Sequence, residues 1–308
     1  MSYLGERVGV LEHRSFLCYR ARKMHALPTT QITALIRLLS DEDERVARTI
    51  AGKLTELGDA AVPLLREAES DDPDMAARIS RILGDIRVQG IERAFHVLSA
   101  CDDHHLDLEA GAFLIARFAY PDLDVPTYVE RLDAMARDVR ERLGHKASGE
   151  ETVATLNRYL FVEQGFLGNT REYYDLDNSY INRVLERKTG IPISLSVVYL
   201  LLSQRLELPV YGVGMPGHFL VTYATAHDRI FVDAFNGGAL LTQQDCAHFL
   251  DQAGYGYDER YLRQTPARAI LIRMMKNLVS LYGAVNDQAN AVRLTRFIEI
   301  LGLPETGE

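Results

Sequence analysis

Between residues 28 and 86, apolar positions recur every three or four residues with polar ones between them. In "TTQITALIRLLSD", Ile32, Leu35, Ile36 and Leu39 share one helical face. "ERVARTIAGKLTELG" repeats the pattern with Val46, Ile50, Leu54 and then Leu57, and Gly58 supplies a stop. "AAVPLLREAESDDPDMAARISRILGDI" predicts a short helix, an acidic turn with Pro73, and a second helix ending near Gly84. The turns "LLSDEDERVAR" and "AESDDPDMAAR" are alike in character. The pattern fits HEAT-like stacked pairs and an irregular helical subdomain equally well. Two such pairs leave apolar faces that need covering by a neighbour.

From Ile91 to Leu143 the predicted helices lengthen. "LEAGAFLIARFAYPDL" reads as a buried helix ended by Pro121, and "VPTYVERLDAMARDVRERL" as an amphipathic one with Pro126 near its start. From residue 208 the period changes: "PVYGVGM", "HFLVTYA" and "RIFVDAF" are short, β-branched and aromatic, and bounded by Gly, Pro or Asp. Helices followed by consecutive strands predict an α+β domain with an antiparallel sheet. After Pro266 helical spacing returns, with Leu271, Met274, Leu278 and Leu281 on one stripe and Val292, Thr295, Phe297, Ile298 and Leu301 on the next helix. The short "GAVNDQ" link makes these an antiparallel, tetratricopeptide-like pair that must pack on the preceding domain. The expected organisation is a tail over 1–27, a HEAT-like segment over 28–90, the α+β domain over 91–265 and the helix pair over 266–308.

Charge removes some functions from consideration. The 308 residues carry 34 Lys plus Arg against 43 Asp plus Glu, a formal charge of −9, and no long basic stripe, so nucleic acid is not an expected partner. No run of about 18 apolar residues is present to span a bilayer. The N-terminus lacks the apolar core of a secretion signal. Its mixed charges fit a tail, or a chain whose translation starts at Met24. Cys18, Cys101 and Cys246 are too few and too scattered for a disulfide framework, which suits a cytoplasmic protein.

Candidate chemistry concentrates in four stretches: "DLEAGAFLIARFAYPDLD", "GFLGNTREYYDLDNSYINRVLERKTGIPISLSVVYLLL", "GVGMPGHFLV" and "IFVDAFNGG". Together, over roughly 91–245, they resemble the transglutaminase-like proteins of the SirB family. The Asn-Ser-Tyr, Gly-Ile-Pro-Ile, Pro-Gly-His-Phe and Asp-x-Phe-Asn-Gly-Gly segments carry the likeness. It implies a transglutaminase-like, papain-like core, and the tetratricopeptide-like end suits the same family. Fuller members carry more chain there, so the resemblance implies a short form.

Enzymes of the transglutaminase-like class place a cysteine at a helix N-terminus, a histidine on a following strand and an aspartate on the next. The helix end lowers the thiol pKa. The histidine moves the proton, and the aspartate sets its tautomer. The resemblance maps the histidine to His218 and the acid to Asp233, fifteen residues on, an interval that fits a strand, a turn and a second strand. Where the cysteine belongs, the chain reads Pro192, Ile193, Ser194, Leu195, Ser196. Ser194 is the candidate replacement. A serine hydroxyl gains too little from a helix dipole and needs His218 as general base. Serine is also among the best helix N-caps, and both roles stay open for Ser194.

His218 also fits a structural, hydrogen-bonded histidine at a strand start. Asp233 is a carboxylate in an apolar strand, costly unless paired, and a His218–Asp233 contact would supply the partner. Asn178 fits either a helix cap or a hydrogen-bond donor near the site, and Asn236, like Asn169, either a turn residue beside glycine or a substrate contact. "CDDHHLDLE", residues 101–109, holds metal-ligand residue types at spacings unlike a zinc site, and an acidic loop or helix start accounts for it. No nucleotide fingerprint appears, and no cofactor is expected. Two functions follow. The first is a protein-binding or regulatory transglutaminase-like protein without its nucleophile. The second is a serine-dependent amide or ester hydrolase or acyltransferase using Ser194, His218 and Asp233.

Overall fold

The computed structural model describes residues 27–68, 71–144, 147–225 and 229–302. The expected tail, with Cys18 and Met24, lies outside the described residues except for its last position. The chain divides into two compact units, the first ending at Arg93 and the second starting at Ala94.

In the first unit, α1 (Thr29–Arg37), α2 (Glu44–Leu57) and α3 (Val62–Glu67) are followed by α4 (Pro73–Ser99), which runs on into the second unit. Ile32, Ile36, Leu39, Leu54, Leu65, Ile79, Ile82 and Ile86 interlock as its core. Asp43 caps α2 by accepting a hydrogen bond from the Arg45 amide at 2.8 Å, and Gly58 ends it with φ +58°. The helix expected to stop near Gly84 continues to Ser99. An interior glycine costs only about 1 kcal/mol, and the buried stripe through Ile79, Ile82, Ile86 and Ile91 carries on past it.

The second unit opens with α5 (Leu108–Ala119), α6 (Val125–Arg142) and α7 (Gly149–Asn157). A two-residue strand β1 (Leu167–Gly168) pairs in parallel with β2 (Thr189–Gly190), and α8 (Ile181–Arg187) lies between them in sequence. Then comes α9 (Pro192–Arg205), whose residues from Pro192 to Ser203 are all buried. A helix apolar on every face belongs inside a core.

The expected strands form as β3 (Val210–Val213), β4 (Leu220–Ala224) and β5 (Arg229–Asp233), joined by β6 (Ala239–Leu241) and β7 (Gln264–Thr265). The sheet is antiparallel throughout, in the order β6-β5-β4-β3-β7. Leu220 to Tyr223 are buried without alternation, so both faces of β4 are covered. After β6 comes α10 (Gln243–Gln252), whose Cys246 and Leu250 pack with Val213, Met215, Leu220 and Phe231. The helix pair α11 (Ala267–Ala284) and α12 (Gln288–Leu301) belongs to this same unit. Leu271 fills the space above Gly111 of α5, where any Cβ would lie 2.2 Å from its methyl group. The Tyr180 and Tyr282 hydroxyls meet at 2.8 Å, and Phe118 sets its ring edgewise to Tyr282 and Phe297.

Candidate functional site

Antiparallel pairing of Val221 with Val232 brings the entrance of β4 beside the exit of β5. His218 stands just before β4 and Asp233 ends β5, and the two side chains meet. His218 Nε2 lies 2.8 Å from Asp233 Oδ2. The carboxylate is otherwise occupied by its own turn. Oδ1 accepts from the Phe235 and Asn236 amides at 3.1 and 3.2 Å, and Oδ2 also accepts from Asn236 Nδ2 at 2.8 Å. Burial works to raise the Asp233 pKa. The hydrogen bond and charge of His218, followed by Asn236, outweigh it and hold the carboxyl below its ordinary value of 3.8. An ionised Asp233 only accepts, so the Nε2 proton points at it. Among the described residues, no protein group hydrogen-bonds Nδ1.

The turn after Asp233 depends on glycine. Gly238 has φ +79°, and a Cβ there would lie 2.6 Å from the Phe161 ring. Its carbonyl accepts from Asn157 Nδ2 at 2.7 Å. Asn236 is thus a turn residue whose side chain serves the Asp233 carboxylate.

Ser194 is held elsewhere. The helix α9 starts at Pro192, with Ile191 as its N-cap residue, so Ser194 is the third helical residue. Its hydroxyl donates to the Asn178 carbonyl at 2.6 Å and accepts from the Ile191 amide at 3.0 Å. The side chain has no solvent exposure. Gly190 makes the fit possible, because a Cβ there would come within 2.6 Å of this hydroxyl. Among the described residues, Ser194 has no hydrogen bond to His218. Ser196, also buried, reaches the Phe219 carbonyl at 3.5 Å.

Asn178 does not cap α8, whose N-cap is Tyr180. It ties the preceding loop instead. Nδ2 donates to the Glu172 and Tyr173 carbonyls at 2.6 and 3.2 Å, and Oδ1 accepts from Asn169 Nδ2 at 3.0 Å. Its own carbonyl is the one that receives Ser194. Neither described cysteine is hydrogen-bonded to His218. Cys246 is fully buried, and burial pushes its thiol up to about 11. Cys101 donates to the Val97 carbonyl at 3.7 Å. In the 101–109 stretch, Asp102 bonds the exposed His105 ring at 2.6 Å and Asp107 caps α5. No group of three or more His, Cys, Asp or Glu is arranged to hold a metal among the described residues. No described helix is long and apolar enough to cross a membrane.

The model of the transglutaminase-like superfamily matches residues 126–276, the stretch that contains the His218–Asp233 pair. The chain is 38% identical over 202 residues to a UPF0162 protein of Xylella fastidiosa, covering 64% of this chain and 72% of that one. It is 31% identical over 194 residues to UPF0162 protein PA3419 of Pseudomonas aeruginosa, covering 62% and 70%. The chain belongs to the UPF0162 family. It is also similar to F-box only protein 21 of Homo sapiens, 34% identical over 143 residues, covering 42% of this chain and 22% of that protein. No solved structure gives a significant match.

Around the His218 ring this UPF0162 member gathers residues that sequence reasoning missed. Phe249 of α10 lies 5.5 Å from the imidazole, centroid to centroid, and Phe235 lies 6.4 Å away. Tyr173 stacks edgewise on Phe235 and on Tyr174, the latter 80% exposed. Arg273 of α11 donates from Nη2 to the His218 carbonyl at 2.8 Å and lies over the Phe219 ring at 5.4 Å. Burial pulls its pKa below the ordinary guanidinium value, opposed by the Tyr173 and Tyr255 phenols. The "EYY" doublet, aromatic within a polar loop, was the available signal. Arg273 gave none, since its charge falls inside an apolar helical stripe.

Proposed function

We propose that this chain is a transglutaminase-like protein of the SirB type that binds or regulates a protein partner and does not catalyse. The observation that carries this reading is the hydrogen bonding of Ser194. Its hydroxyl proton goes to the Asn178 carbonyl, and its lone pair accepts from the Ile191 amide, with no exposure to solvent. A nucleophile needs its base within about 2.6–3.2 Å and open space for the reacting carbon. Cys246 is fully buried with its thiol pKa raised, and Cys101 bonds the Val97 carbonyl. His218 and Asp233 then serve as a buried strand-to-strand tie at the floor of an aromatic surface.

The similarity to F-box only protein 21, of which the matched stretch is only 22%, supports a module carried in longer chains. The HEAT-like and tetratricopeptide-like character of the flanking helices, and a cytoplasmic location, belong to the same reading. Incubation with a fluorophosphonate probe followed by peptide mass mapping tests it. No adduct at Ser194 is expected. An adduct at Ser194 that disappears in His218→Ala would overturn the reading in favour of a serine hydrolase or acyltransferase.

A further inference from the structure

The guanidinium of Arg273 is the outlying piece of the site. Half-buried arginines are normally matched by carboxylates, because a partly desolvated charge without a counter-ion is costly. This chain supplies many such matches, as at Arg205 with Glu109 and Asp133, and at Arg187 with Asp175. Among the described residues no carboxylate pairs with Arg273. Its guanidinium donates to the His218 carbonyl, lies over the Phe219 ring and sits against Gly214. The ionisable groups that bear on it are the phenols of Tyr173 and Tyr255. Neither phenol donates to a protein acceptor among the described residues, and both rings are more than a third exposed.

The two tyrosines come from different segments. Tyr173 belongs to the loop between β1 and α8, where it continues into Phe235. Tyr255 follows α10, and its ring lies 3.7 Å from where a Cβ on Gly217 would stand. Phe249, 36% exposed, adds a wall beside His218. The surface therefore combines one cation, stacked on Phe219, with aromatic rings contributed by two separate segments. Exposed Tyr and Phe gathered around an arginine are the composition of a binding hot spot rather than of ordinary surface.

We propose that this surface binds an extended segment of a partner protein through one acidic side chain seated on Arg273, with apolar residues on both sides of it. Guanidinium and carboxylate match as paired donors and acceptors, and the free tyrosine hydroxyls supply further donors. Rings from two segments beside the cation favour an acid within a chain over a terminal carboxylate, which would leave one set of rings uncovered. The formal charge of −9 favours a segment with a single acid over a polyacidic one. The inference rests on the non-catalytic reading and supplies the chemistry of its partner.

The test uses the full-length protein and two fluorescein-labelled, amidated peptides, Ala-Phe-Glu-Phe-Ala and Ala-Phe-Gln-Phe-Ala, followed by fluorescence anisotropy. The glutamate peptide should bind about tenfold or more tightly than the glutamine one, and raised salt should narrow the gap. Phe249→Ala should weaken both peptides alike. Arg273→Gln should abolish the preference and Arg273→Lys should retain part of it, each variant first shown to unfold at the wild-type temperature. Should Arg273→Gln fail to fold, the wild-type comparison of the two peptides decides alone. Equal affinities, or binding of neither peptide, would overturn the inference and leave the non-catalytic reading standing. A Ser194 adduct with the fluorophosphonate would overturn that reading without altering the peptide preference.

Discussion

Two polar sites lie buried in the same core, one at the start of α9 and one between β4 and β5, and they are satisfied in opposite ways. Ser194 is satisfied locally. Its hydroxyl bonds the backbone of Asn178 and of Ile191, both in the chain leading into its own helix. His218 and Asp233 are satisfied across strands, and one ring nitrogen, Nδ1, has no protein partner among the described residues. The difference separates two properties that sequence patterns merge. A buried group can be fully hydrogen-bonded and chemically idle, or hydrogen-bonded and still poised. Residue type alone fits a Ser-His-Asp set here, and the direction of one hydroxyl argues against it.

Asp233→Ala should break the more expensive side of the comparison. It leaves His218 Nε2, Asn236 Nδ2 and two backbone amides without their acceptor, at a cost of about 3–5 kcal/mol in urea unfolding. A cost below that of Ser194→Ala would show that the strand pair is not the stronger tie. Ser194→Ala should come next, at about 1–3 kcal/mol, because the Asn178 carbonyl and Ile191 amide lose one shared partner. Anisotropy with the acidic peptide should be unchanged in this variant, since Ser194 does not face the aromatic surface.

The smallest effect is an acid limb. The folded Asp233 pKa lies below its unfolded value of about 3.9. Below that value the unfolded chain therefore binds more protons than the folded one. The stabilisation is complete above the unfolded pKa and is lost as pH falls through the folded one. Asp233→Asn should remove this contribution, so its stability relative to wild type should improve on acidification below pH 4. A constant difference between the two across that window would contradict the assignment.

The central strands were legible in the sequence because their short β-branched and aromatic runs are bounded by turn residues. "PVYGVGM", "HFLVTYA" and "RIFVDAF" became β3, β4 and β5. The partnership of His218 with Asp233 could be framed from the same pattern, since a carboxylate in an apolar strand needs a partner. The start of α9 was less legible. Serine at the head of an apolar run suggests an N-cap, yet Pro192 has its φ fixed for the first helical turn and begins the helix earlier. That shift of register turns Ser194 inward to the backbone. Arg273 and its tyrosines were not legible, because they meet across separations such as the 55 residues between Arg273 and His218. No local pattern encodes a contact of that range.

The most direct measurement is the ¹⁵N shift of His218 Nδ1 in a long-range ¹H–¹⁵N spectrum, compared between wild type and Ser194→Ala. The account predicts a proton on Nε2 and the same Nδ1 shift in both proteins. A wild-type Nδ1 shifted by a hydroxyl hydrogen bond that Ser194→Ala removes would show that serine and histidine are coupled after all.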